Sequence, residues 1–202
     1  MVLILLAIFL IAVVIHEFAH GWVAYKLGDP TAKYAGRLTL NPLSHIDPIG
    51  TVFFPLMLVM IGSPVVFGWA KPVPVNFSLL RHPKKDMLWV SIAGITANIL
   101  LAIFLSLLLR IGLFPLNSYG AKFLSYAIVV NLILAVFNAI PVPPLDGSKI
   151  LLSILPRELA YLYMRIERFG LLILIGLLWV GLLDKVIWPV VITLAWALGA
   201  KI

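Results

Sequence analysis

Five apolar stretches dominate this chain, at roughly residues 1–25, 88–111, 122–140, 169–183 and 186–200. A membrane-spanning helix takes about 20 predominantly apolar residues, and Gly, Pro or charge bounds each stretch. The last two are short and are separated only by Asp184 and Lys185. The first lacks the basic leader and small-residue cleavage site of a signal peptide, so it reads as a retained helix. Composition agrees, with 63% of the 202 residues hydrophobic and 11% charged, and a mean hydropathy of +1.13. Globular chains run at roughly 45–50% and 25%. A soluble enzyme and a disordered chain are therefore excluded, because so few charges cannot cover a soluble surface of this size.

A sixth apolar stretch, residues 50–68, is interrupted by Pro55, Gly62, Pro64 and Gly68, and reads as a re-entrant or interfacial hairpin. If it returns to its own side, twelve of the fifteen cations gather on one face and only Arg110, Lys122 and Lys185 lie opposite. The positive-inside rule makes the crowded face cytoplasmic. Five crossings then place the N-terminus outside and the C-terminus inside. The expected fold is an all-α polytopic membrane protein of about five to six transmembrane helices, with a short β-hairpin or re-entrant segment after the first. Such a multi-pass chain belongs in a cell inner or plasma membrane. Residues 1–202 read as one domain, since no polar connection approaches the ~50 residues of a soluble one.

The chain has no Cys, so any metal must be held by His, Asp or Glu. Its net charge of +7 comes without a basic run interleaved with aromatics, which points to lipid headgroups and away from nucleic acid.

The polar exceptions carry the chemistry. His16-Glu17-Phe18-Ala19-His20 ends the first apolar stretch, and His at i and i+4 projects both imidazoles from one helix face, a spacing that suits one Zn²⁺ with Glu17 beside it as a base. Chance placement of four His and three Glu gives this pattern in roughly one sequence in a thousand. Catalytic zinc takes three protein ligands. The candidates for the third are Asp146, Asp47, His45, Asp29, Asp86 and Glu158. In the five-crossing topology Asp146 arrives at the level of His16 and His20. There Pro141, Pro143 and Pro144 prevent regular helix and Gly147 permits a tight turn, giving an extended strut that carries the carboxylate inward.

These residues resemble the two signature motifs of site-2 proteases, the zinc metalloproteases that cut inside membranes: His16-Glu17-Phe18-Ala19-His20, and residues 138–147 ending Pro143-Pro144-Leu145-Asp146-Gly147. Ser91-Ile92-Ala93-Gly94-Ile95-Thr96-Ala97-Asn98 is similar to the family's middle-helix segment, with Ile95 where a Pro is usual. The resemblance covers residues 1–150 as a catalytic core, with 151–202 as additional C-terminal helices, in a minimal form without an appended PDZ or CBS domain. It implies His16, His20 and Asp146 as ligands of one zinc per chain, Glu17 as general base, and Asn138 as a group that positions substrate or stabilises the oxyanion. The implied reaction is peptide hydrolysis within or next to transmembrane segments near the cytoplasmic face. Its partners would be the bilayer, a transmembrane protein or peptide substrate, and a separate regulatory protein.

Weaker signals surround this set. Alternation over residues 36–40 suggests an edge strand able to hold an extended substrate. Asn41, His45 and Asp47 can support the metal or form ordinary turns. Asn98, polar within an apolar helix, is either functional or an interhelical hydrogen-bonding group. Residues 68–76 read as an interfacial loop anchored by Trp69 and Lys71, with a gate as one role. Residues 157–168 read as an interfacial helix. The competing reading of the His/Asp set is a metal-ion or proton transporter.

Overall fold

A computed structural model describes residues 2–62, 70–115 and 117–200, with Val2, Leu3 and Val52 described by backbone only. Its helices, in chain order, are α1 (Val2–Lys26), α2 (Thr31–Tyr34), α3 (Phe54–Met60), α4 (Pro83–Arg110), α5 (Tyr119–Asn138), α6 (Asp146–Ile154), α7 (Arg157–Glu167), α8 (Gly170–Trp179) and α9 (Trp188–Ala197). Of these, α1, α4 and α5 are each long and apolar enough to cross a membrane.

The expectation of five to six spanning helices is corrected. Helices α8 and α9 have ten residues each, about 15 Å of helix against a hydrocarbon core of ~30 Å. They meet at a break bent by 71°, so together they form at most one broken span, or else a re-entrant pair. Gly181, in the left-handed region, closes α8 as helix-terminating glycines do, and the turn at Leu183–Ile187 carries Asp184 and Lys185.

The expected β-hairpin is also corrected, since no strand occurs among the described residues. Residues 36–40 alternate in polarity but pair with no strand among the described residues. Arg37 Nη2 donates instead to Lys71 O at 2.6 Å, and His45 Nε2 bonds Thr39 O at 2.9 Å. Side chains hold the segment where a ladder was expected. Of the stretch 50–68, a turn at Pro48–Phe53 runs into α3, which ends at Met60. Its remainder from 63 onward, with the expected anchor Trp69, lies outside the described residues.

Helix α4 is central and packs on α1, α5 and α6, while α9 packs on α5. Between lipid-embedded helices the gain comes from close packing more than from excluding water, so small residues collect at the contacts. Ala12, Ala24, Ala102 and Ala195 are accordingly wholly buried, whereas Leu100, Phe104 and Leu107 on α4 lie more than half exposed, toward lipid. The main core cluster joins α4, α5, α9 and the turn before α9 through Ala102, Ile128, Leu132, Val191 and Ile187.

Helix ends show how the elements alternate. Arg81 N donates to Leu27 O at 3.1 Å, so α4 begins beside the end of α1. Pro83 opens α4, and Asp86 Oδ2 accepts from His82 N at 2.8 Å, an acid reaching back to the N-cap amide as in a capping box. At the opposite end Arg110 Nη2 donates to Ala197 O at 2.7 Å and Ser106 Oγ to Leu198 O. The last described residues thus lie beside the end of α4, away from the end of α1. This corrects the five-crossing course, in which the C-terminus and Arg110 fall on opposite faces. Lys201 itself lies outside the described residues.

Asp29 ties the loop after α1 to the approach to α4. Wholly buried, it accepts from Thr31 N at 2.9 Å and Asn76 N at 2.7 Å. Asp29→Ala should strand both donors at about 1–3 kcal/mol each. Thermal melts in detergent should show a clear drop in Tm; an unchanged Tm would contradict this bracing role.

Candidate metal centre

On α1, His16 and His20 lie one helical turn apart, about 15 and 9 Å along the helix from Lys26 at 1.5 Å per residue. Both are over nine-tenths buried. Asp146, the first residue of α6, approaches them from a point 126 residues further along the chain. Its Oδ2 is 3.1 Å from His16 Nε2 and 3.0 Å from His20 Nε2, and the two Nε2 atoms are 3.0 Å apart. These three side chains form the one group of this kind among the described residues that could hold a metal ion.

The donor set fits zinc. Ligand atoms ~2.0–2.1 Å from a tetrahedral ion stand about 3.3 Å from one another, close to the edges of this triangle. Both imidazoles are also oriented from behind: His16 Nδ1 bonds Asn98 Oδ1 at 2.6 Å and His20 Nδ1 bonds Val90 O at 2.7 Å. An oxygen behind each ring keeps the proton on Nδ1 and turns the Nε2 lone pair inward, as outer partners of zinc-binding histidines do.

Gly94, on α4, makes room for the cluster. A Cβ there would stand 2.6 Å from His16 Cε1 and 2.7 Å from His16 Nε2, and closer still to His20 Nε2. Gly94 lies within the segment the sequence singled out, yet nothing in its spacing shows that its missing side chain faces the imidazole edges. Asn98, weighed as either functional or structural, lies directly behind His16.

The approach to Asp146 differs from the expected extended strut. Residues 139–145 fold as consecutive turns, with Val142 N donating to Ile140 O and Leu145 N to Val142 O. Three prolines stop α5, but successive turns spend little length, so Asp146 starts α6 close under the end of α5. Gly147 lies inside the first turn of α6, where a side chain would collide with the carbonyl oxygens of Ala139 and Ile140.

Glu17, one residue on from His16, is rotated about 100° around α1. Its Oε2 accepts from Val73 N at 2.7 Å. Residues 70–76 form a strap across this face, held further by Arg37 on Lys71 O, by Lys71 N donating to His45 O at 2.9 Å, and by Asp29 on Asn76 N. Asn138 ends α5, and its Nδ2 donates to Leu134 O at 2.9 Å, back along its own helix.

The other third-ligand candidates have different occupations. Asp29 and Asp86 brace helix ends as described. Asp47 accepts from Ile49 N and Gly50 N, and Asn41 from Leu43 N, as caps of short turns. His45 is buried against Thr39 O, and Glu158 lies in the first turn of α7.

A family model described as Peptidase family M50 matches residues 4–118 and 115–181. The chain is 38% identical over 187 residues to "Putative zinc metalloprotease YwhC" of Bacillus subtilis, covering 89% of this chain and 82% of that protein. It is 31% identical over 179 residues to "Putative zinc metalloprotease Rip2" of Mycolicibacterium smegmatis, covering 87% and 66% respectively. Over 159 residues it is 26% identical to "Zinc metalloprotease MJ0392" of Methanocaldococcus jannaschii, covering 79% of this chain and 36% of that one. No solved structure matches the chain.

Proposed function

The chain belongs to peptidase family M50, and from this membership we propose that it is an intramembrane zinc metalloendopeptidase hydrolysing peptide bonds within or next to transmembrane segments. One observation carries the reading: two imidazole nitrogens from α1 and a carboxylate oxygen from α6 meet at 3.0–3.1 Å, beside the only glutamate of α1.

His16, His20 and Asp146 would hold one zinc per chain. Zinc bound there would supply an activated water and polarise the scissile carbonyl. Glu17 takes the proton of the attacking water and delivers it to the leaving amine. The Val73 N–H steadies one oxygen of that carboxylate. Asn138 donates to the charge developing on the carbonyl oxygen through the Nδ2 hydrogen that is not engaged with Leu134 O.

The site would open toward the cytoplasm, with the N-terminus outside. His20 lies only about 9 Å from the end of α1, so water needs a short path, and most cations belong to loops and short helices at that end, as the positive-inside rule requires. The bond between Arg81 and Leu27 supports a course in which residues 27–82 leave and return on one face. A substrate helix must unwind locally to offer its carbonyls, so selectivity would rest on helix instability or on a regulatory protein.

Purified chain in liposomes should contain about one zinc and cleave a single-span test substrate. A zinc chelator should abolish cleavage and added zinc restore it, because loss of the ion removes the electrophile. Metal or proton flux dependent on His16, His20 and Asp146 without any hydrolysis would overturn the reading in favour of transport.

A further inference from the structure

Asn98 and Asn131 are wholly buried, at 0% and 1% exposure, in the middle of α4 and α5. Uncompensated amides among apolar helices are unfavourable, and these two are compensated in one particular order. Asn131 Nδ2 donates to Ala127 O of its own helix at 2.8 Å, which leaves Asn131 Oδ1 facing α4. That oxygen accepts from Asn98 Nδ2 at 2.8 Å, and the same Nδ2 reaches Ala12 O at 3.2 Å. Asn98 therefore has its oxygen turned toward His16 Nδ1, at 2.6 Å. An amide in the opposite sense would set Asn98 Oδ1 against two other oxygens, and its Nδ2 would meet His16 as a donor. His16 would then carry its proton on Nε2, on the edge that faces His20 and Asp146.

The two histidines thus differ. His20 is set by Val90 O, a backbone carbonyl that cannot reverse, whereas His16 is set by a side-chain amide that can. We propose that Asn131 is a positioning residue for the metal centre: acting through Asn98, it fixes the Nδ1–H tautomer of His16 and so keeps the Nε2 lone pair available to the ion. The inference rests on the zinc reading above. Asn131 lies in neither signature motif and touches none of the three ligands; its effect passes through one intervening amide.

The test reads the tautomer in the metal-free protein, by nitrogen NMR of labelled histidine, together with zinc affinity by chelator competition. Wild type should show His16 as Nδ1–H. Asn131→Leu removes the nearer of the two acceptors behind Asn98, leaving only Ala12 O at 3.2 Å, and should weaken that bias, with zinc affinity falling about tenfold, the lower end of the range for outer-shell partners. Asn131→Asp should behave as wild type, because a carboxyl kept neutral by burial has the shape of the amide and offers the same acceptor and donor. Leu132→Ala, a packing change at the neighbouring core position, should lower Tm while leaving tautomer and affinity unchanged.

An Nε2–H tautomer in wild type would overturn the proposal, as would an Asn131→Leu protein with wild-type tautomer and affinity, or an equal zinc loss in Leu132→Ala. Should Asn131→Leu fail to fold, the wild-type tautomer and its retention in Asn131→Asp decide the matter. A wild type that shows the Nδ1–H tautomer but binds no zinc would defeat the zinc reading and leave the relay standing.

Discussion

Glu17→Gln is expected to retain about one zinc per chain and to lose cleavage by about 10²–10⁴-fold, the usual worth of a positioned general base, or roughly 3–5 kcal/mol of barrier. The substitution is nearly isosteric. The amide oxygen of Gln can still accept from Val73 N, so the strap over α1 keeps its anchor. None of the three atoms in the metal triangle belongs to Glu17, so the ion has no reason to leave. What disappears is the ability to take a proton. Metal analysis and cleavage of a single-span substrate, run on the same preparation, separate the two properties. Cleavage within a few-fold of wild type would remove Glu17 from the chemistry, and loss of zinc would show that its role is structural.

Gly94→Ala should have a comparable effect by the opposite route, losing the metal and, with it, activity. The added methyl would fall 2.6–2.7 Å from atoms of the His16 ring and against Nε2 of His20, and neither imidazole can yield freely. Asn98 holds one ring from behind and Val90 O the other. Overpacking in a well-packed interior costs about 1–3 kcal/mol, and here the atoms displaced are the ligands. A fall in zinc affinity of about 100-fold, the upper end for damage to outer-shell partners, is expected, with helix content by circular dichroism unchanged. A Gly94→Ala protein that binds zinc as wild type does would mean that α1 and α4 can separate at this crossing.

The sequence was most informative where a property is confined to one helix. The apolar stretches near 1–25, 88–111 and 122–140 correspond to α1, α4 and α5. Helix α4 begins earlier than its apolar stretch, because Pro83 and Asp86 stabilise a polar first turn that hydropathy does not register. The spacing of His16 and His20 was legible for the same reason, since two residues four apart share a helix face whatever surrounds them. Residues 36–40 show the converse: alternation records a preference for extended chain, but a strand exists only if another edge pairs with it, and Arg37 and His45 hold the segment to other partners. The stretches 169–183 and 186–200 read as two spans on apolar composition, but α8 stops after ten residues just before Gly181 and α9 has ten, too few for either to cross alone.

By itself, the sequence determined that this chain needs a lipid surround, that α1 presents two imidazoles on one face, and that a further His, Asp or Glu must complete any zinc site in a chain without Cys. Tertiary structure alone decided that Gly94 clears the space for those imidazoles, that the last helix returns to the Arg110 end of α4, and that Asn131 on one helix orders Asn98 on another. The division has a physical cause. Hydropathy and helical period are sums over neighbouring residues, whereas a close approach or the direction of an amide depends on which atoms a second and third helix bring to the same point.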